Sequence, residues 1–101
     1  MFENKAKRYM TRAIAEELNM EIVSILWELI DTMVEQNVSL DYLQVFDLVE
    51  SDGKQVIIHK QEVPEMQGKH TRKLQKTKAL MATIWCLDKG ESQVMLFPQD
   101  Y

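Results

Sequence analysis

The chain has 101 residues, 46% of them hydrophobic and 28% charged, with a net charge of −4; this excludes a disordered segment and predicts one globular domain over residues 1–101. Its one cysteine rules out an intramolecular disulfide, and three glycines with two prolines leave little material for linkers. The opening run MFENKAKRYM lacks the apolar h-region of a signal peptide, and charges interrupt every apolar stretch short of the ~18 residues of a membrane span, so a cytoplasmic protein with no membrane partner is expected.

Residues 1–7 are expected to form a frayed, polar lead-in. From Arg8 to Ala15, Met10 and Ile14 alternate with Tyr9, Thr11 and Ala13, which permits a strand, whereas the AIAEEL that follows permits a helix. The reading taken is a strand leading through Glu16–Leu18 into a helix. That helix, Asn19 to Gln36, organises the chain. At 100° per residue Leu18, Ile22, Ile25, Leu26, Leu29 and Met33 share a face, and Val23, Trp27, Ile30 and Val34 widen it. Asn19 suits the N-cap, Leu18 and Val23 hold the positions of a hydrophobic staple, and Glu21 places negative charge at the positive end of the dipole.

Tyr42 to Glu50 is β-branched and aromatic enough for a strand. Ser51-Asp52-Gly53-Lys54 turns it, Asp-Gly being a strong hairpin signal, and Gln55 to Val63 returns before Pro64 closes the strand. Glu65 to His70 reads as a loop and Thr71 to Gln75 as a short, charged edge strand. Ala79 to Asp88 is the most apolar strand, Lys89 to Ser92 a turn, and Gln93 to Phe97 the last strand before Pro98. The fold class predicted is α+β, with one long amphipathic helix packed on a mainly antiparallel meander sheet of four to six strands.

Two strands are apolar on both faces. Phe46 and Leu48 lie opposite Leu43, Val45 and Val49; Ile84 and Cys86 lie opposite Trp85 and Leu87. One helix covers one face, so the N-terminal segment, sheet curvature or a second subunit must cover part of the other. A homodimer is favoured.

The runs Tyr9-Met10-Thr11-Arg12, Ala15-Glu16-Glu17, Leu26-Trp27, Leu29-Ile30-Asp31, Asp41 to Phe46, Ile57 to Pro64, Ile84-Trp85 and Met95 to Tyr101 together resemble a small family of uncharacterised Firmicutes proteins, described as staphylococcal proteins of unknown function. The resemblance spans nearly the whole chain. It implies a bacterial, cytoplasmic, single-domain protein and brings no activity, cofactor or catalytic residue.

Cys86, in the most apolar strand and without a nearby cation or exposed turn, reads as a small buried hydrophobe rather than a nucleophile. His59, His70 and Cys86 are isolated in sequence, so no metal and no cofactor is expected. His59 should point away from Ile58, as a solvated or rim histidine. Glu28, Asp31 and Glu35 form an acidic helix ridge, more often solvated than a docking surface. Met66 to Lys78 carries +5 and no acid, leaving −9 on the rest. Lys69, Arg72, Lys73 and Lys76 therefore form the alternative phosphate or nucleic-acid site, although no aromatic is interleaved for stacking. No Gly-rich phosphate loop or nucleophile elbow is present. The function expected is a small non-enzymatic, protein-binding or regulatory accessory module, docking to itself or to another cytoplasmic protein through Trp27, Val34 and Trp85. The alternatives are nucleic-acid association through the basic edge and, more weakly, a small-molecule or catalytic pocket near His59 or Cys86.

Overall fold

The computed structural model describes residues 1–3 and 6–101. In chain order the elements are β1 (Lys7–Met10), α1 (Arg12–Glu17), α2 (Met20–Glu35), β2 (Leu43–Ser51), β3 (Lys54–Gln61), β4 (Met66–Arg72), β5 (Ala82–Asp88), β6 (Ser92–Leu96) and a 3-10 turn at Pro98–Asp100.

α2 starts where its sequence says. The Asn19 side chain accepts the Ile22 amide at 2.9 Å, and Glu21 lies in the first turn. At the other end Asn37 adopts φ +58°, with Val38 N–H donating to Met33 C=O and Asn37 N–H to Val34 C=O, both 3.0 Å. That is the Schellman pattern, with asparagine tolerating the left-handed residue. Ile22, Val23, Leu26, Leu29 and Ile30 are buried, whereas Ile25, Met33 and Val34 are half-exposed. The buried stripe is therefore turned towards Val23 and Ile30. It meets Phe46, Leu48, Ile57, Ile84, Cys86 and Met95 in one core.

The sheet order is β1-β6-β5-β2-β3-β4. Four pairings are antiparallel and β1–β6 is parallel, so the sheet is mixed. It is a meander only from β2 to β4. The crossover from β4 returns the chain beside β2, and the N-terminal strand closes the other edge. The strand expected over Arg8–Ala15 ends at Met10. Thr11 caps α1 by accepting the Ile14 amide at 3.3 Å, so the helix propensity of Ala and Glu prevails over the alternation. Likewise the loop expected at Glu65–His70 is mostly strand. Met66, Gly68, His70 and Arg72 face the helix side and Gln67, Lys69 and Thr71 face out. Polar residues and a glycine hid that alternation. Of the lead-in expected over 1–7, residues 4 and 5 lie outside the described residues, Lys7 opens β1, and Phe2 is fully buried with its N–H on Asp88 Oδ2 at 2.5 Å. The Asp52-Gly53 hairpin forms as expected, with φ +52° and +74°.

The crossover between β4 and β5 is tied down by Gln55. This side chain is fully buried. Its Nε2 donates to Val49 C=O at 2.9 Å and Leu80 C=O at 3.0 Å, and its Oε1 accepts the Leu80 amide at 2.8 Å. The two bonds to Leu80 do for the loop what a ladder does for a strand. Gln55→Leu leaves those backbone groups without partners and should lower unfolding stability by about 1–3 kcal/mol in urea titration; an unchanged midpoint would show that the crossover does not depend on this bracket.

Candidate functional site

Among the described residues neither α1 nor α2 packs on the face of the sheet turned away from the core, where the register also places the buried Val56, Leu87 and Leu96. Leu43, Val45 and Val49 on β2, Ile58 on β3, Trp85 on β5 and Val94 on β6 are all half-buried there. The register places Val45 beside Trp85, and Leu43 beside Leu87. Tyr101 meets Trp85 edge-on at 5.8 Å between ring centroids, and Tyr9 stands exposed on β1. One ion pair interrupts the patch: Lys60 Nζ lies 2.5 Å from Asp47, and Thr83 Oγ1 donates to the same carboxylate at 2.9 Å. The Lys60 contact is the main cause that holds the Asp47 carboxyl below its usual range, with Thr83 adding to it.

Trp27 and Val34, expected to share an interface with Trp85, are on the other side of the sheet. Trp27 is half-buried on the flank of α2, and the Arg8 guanidinium lies 4.5 Å above its ring. Arg8 pairs in bidentate fashion with Asp31 and donates from Nε to Gln93 Oε1 at 2.8 Å. β1 is thereby fastened to α2, and Asp31 is drawn out of the acidic ridge. Val34 is half-buried against the core edge. The structure does not bring these three residues together; Trp85 joins instead with Leu43, Val45, Ile58 and Val94. The alternation of β2 signalled Val45, but nothing in the sequence signalled Tyr101 as its aromatic neighbour.

His59 points away from Ile58, as expected, but it is buried rather than solvated. Its ring stacks on Phe46 with centroids 4.2 Å apart, and its Nε2 is 2.6 Å from Gln44 Oε1. The protonation follows from the partners. Gln44 Nε2 donates to Asp41 C=O and to Gln61 Oε1, both at 2.8 Å, so Gln44 Oε1 is an acceptor and His59 Nε2 carries the proton. Gln61 is oriented in turn by donating to Ser39 C=O and Pro64 C=O and by accepting the Asp41 amide. A cavity of about 440 Å³ opens beside this network, against the end of α2 and β4.

The basic residues do not converge. Lys69 points out of β4 on the uncovered face, Arg72 lies on the helix side, and Lys73 and Lys76 follow in the exposed crossover. The crossover binds an anion of its own: Glu21 accepts the Gln75 amide at 2.7 Å, the Lys76 amide at 3.1 Å and Thr77 Oγ1 at 3.0 Å. The two backbone bonds are the main causes that lower the Glu21 pKa. Cys86 is fully buried, and burial pushes its thiol well above the ordinary range. Among the described residues no three His, Cys, Asp or Glu side chains gather as metal ligands, and no helix is long and apolar enough to cross a membrane.

Burial, and then the charge of neighbouring His70, push the His59 pKa down to about 4. An unfolded chain takes up a proton on this histidine near pH 6.5, and the folded chain does not. Stability is therefore full above about pH 6.5 and falls as the pH drops towards 4, by roughly 3 kcal/mol for this group. Urea titrations at pH 7.5, 6, 5 and 4 should show the decline for the natural chain and a flatter profile for His59→Gln; parallel profiles would contradict the assignment.

Comparison with known proteins agrees with this fold. A crystal structure of a protein of unknown function from Enterococcus faecalis superposes with a TM-score of 0.88 at 22% identity, over 99% of this chain and 94% of that one. No curated protein matches. The family model for the staphylococcal protein of unknown function (DUF960) matches residues 7–100. The chain belongs to that family.

Proposed function

We propose that the protein is a small, non-enzymatic binding module that works by docking the uncovered face of its sheet onto a protein surface, and that a second copy of the chain is the occupant. The observation that carries the reading is the half-buried apolar row of Leu43, Val45, Ile58, Trp85 and Val94, with neither α1 nor α2 above it and Tyr101 of the C-terminal end against Trp85. Large apolar groups are placed there by strands whose other face already supplies the core. A two-fold stack sets one such patch on another. The charge at its centre, Lys60 with Asp47, is neutralised inside each copy, and the exposed Lys69 lies on the edge strand, where it can stay in solvent at the rim of the stack.

Size sets the strength. Six strands about 4.8 Å apart, with roughly five residues each at about 3.4 Å, give a footprint on the order of 500 Å² per copy. Stable specific interfaces bury about 800 Å² per partner. The dimer is accordingly weak and reversible, which leaves the face exchangeable for another protein of the cytoplasm. Sedimentation equilibrium across the micromolar range should show a monomer–dimer equilibrium, with Trp85 emission shifting on dilution and Val45→Glu remaining monomeric while folded. A chain that is monomeric throughout, with emission indifferent to concentration, overturns the reading.

A further inference from the structure

α2 stops at Glu35, while the helix-side face of β3 and β4 runs on beyond it. The cavity of about 440 Å³ lies in that gap. Its apolar walls come from Met33 and Val38 behind the helix end and Met66 on the edge strand. Its polar floor comes from Gln44, His59 and His70. Such a volume, mostly apolar with a few oriented polar groups, is that of a small-molecule pocket.

Three features narrow the ligand. First, the bonding of Gln44 and Gln61 commits the His59 proton to Nε2. Nδ1 is therefore a bare acceptor. It makes no hydrogen bond among the described residues, and no polar side-chain atom is sealed from solvent without a partner, so Nδ1 opens to the cavity that His59 lines. A histidine whose one nitrogen is pinned presents the other in a fixed direction. Second, Gly68 stands opposite His59 in the β3–β4 register. A Cβ there would lie 3.6 Å from His70 Nε2, so the missing side chain keeps the floor between the two imidazoles open. Third, no carboxylate lines the space, and the ammonium of Lys60, which borders it, is held by Asp47 on the other face. Thioethers such as Met33 and Met66 pack adaptably against π systems.

We propose that this cavity binds a flat, uncharged aromatic molecule that donates one N–H or O–H hydrogen bond to His59 Nδ1. The site lies on the opposite side of the sheet from the docking face and stands or falls independently of it.

Indole, N-methylindole and indole-3-carboxylate are suitable probes, titrated into the full chain at pH 7.5 while the imidazole nitrogen resonances are followed. Indole should move the His59 Nδ1 resonance in a saturable manner. N-methylindole, which lacks the donor, should bind at least about tenfold more weakly, as expected when a buried acceptor is left unpaired. The charged carboxylate should bind more weakly as well. Gly68→Val fills the floor and should abolish the indole response with the melting temperature retained; the comparison of indole with N-methylindole needs no variant and decides the matter even where that variant is unstable. Equal binding of the two indoles, an undiminished response in folded Gly68→Val, or no response to indole up to its solubility limit overturns the proposal. Zinc moving both imidazoles while indole moves neither overturns it in favour of a metal site.

Discussion

A helix about 10 Å across lies on a sheet of six strands spaced about 4.8 Å apart, and most of what this molecule is follows from that mismatch. α2 buries the middle of one sheet face, over Phe46, Ile57 and Ile84. The remainder of that face is covered piecemeal. Ile14 of α1 and the anchored Phe2 join the core, while Leu74 and Leu80 of the crossover pack against it. Past the end of α2 no described residue closes the gap between the helix and β4, and the cavity forms there. On the opposite face neither α1 nor α2 gives cover, and the half-buried row around Trp85 is left. Both candidate sites are thus places where the cover runs out.

Piecemeal cover brings irregular backbone against the core, and irregular backbone needs hydrogen-bond partners. Here glutamines supply them. Gln55 holds Leu80, Gln61 holds Ser39 and Pro64, Gln44 holds Asp41, and Gln93 holds the backbone at Glu3. A primary amide donates twice and accepts twice without the desolvation cost of a charge. Every buried polar side-chain atom among the described residues has a partner, so the polar interior rigidifies the fold instead of weakening it. The fixed tautomer of His59 is a by-product of that bracing.

This explains what the sequence could and could not show. α2 was legible to its cap, because Asn19, Glu21 and the 3.6-residue stripe all act within the helix itself. The Asp52-Gly53 hairpin was legible for the same reason. The family resemblance was carried by runs such as Ile57 to Pro64 and Met95 to Tyr101. Gln44, Gln55, Gln61 and Gln93 carry no sign of their burial in the sequence: each is polar, yet its strand turns it inward. His59, read as a solvated or rim side chain, is buried with them. β4 was hidden because Gln67, Gly68 and Lys69 have little strand propensity, and its pairing to β3 overrides that. The parallel β1–β6 contact joins residues some 85 positions apart, and nothing local announces it.

The charge pattern needs the same distinction between local and folded. In sequence the run from Met66 to Lys78 is a basic block and α2 is an acidic ridge, an arrangement that suggests an external partner for each. Folding satisfies a good part of it internally. Glu21, at the head of α2, accepts two amides and a hydroxyl from the crossover. Asp31, one helical face further on, takes Arg8 from β1. The anion that the basic segment holds is thus the chain's own, and it is held by backbone and Thr77 rather than by the lysine ammoniums. Lys73 and Lys76 stay in solvent, where they discourage the edge at β4 from pairing with another sheet. An edge carrying charge and a face carrying apolar groups are the two features on which the proposed face-to-face docking rests.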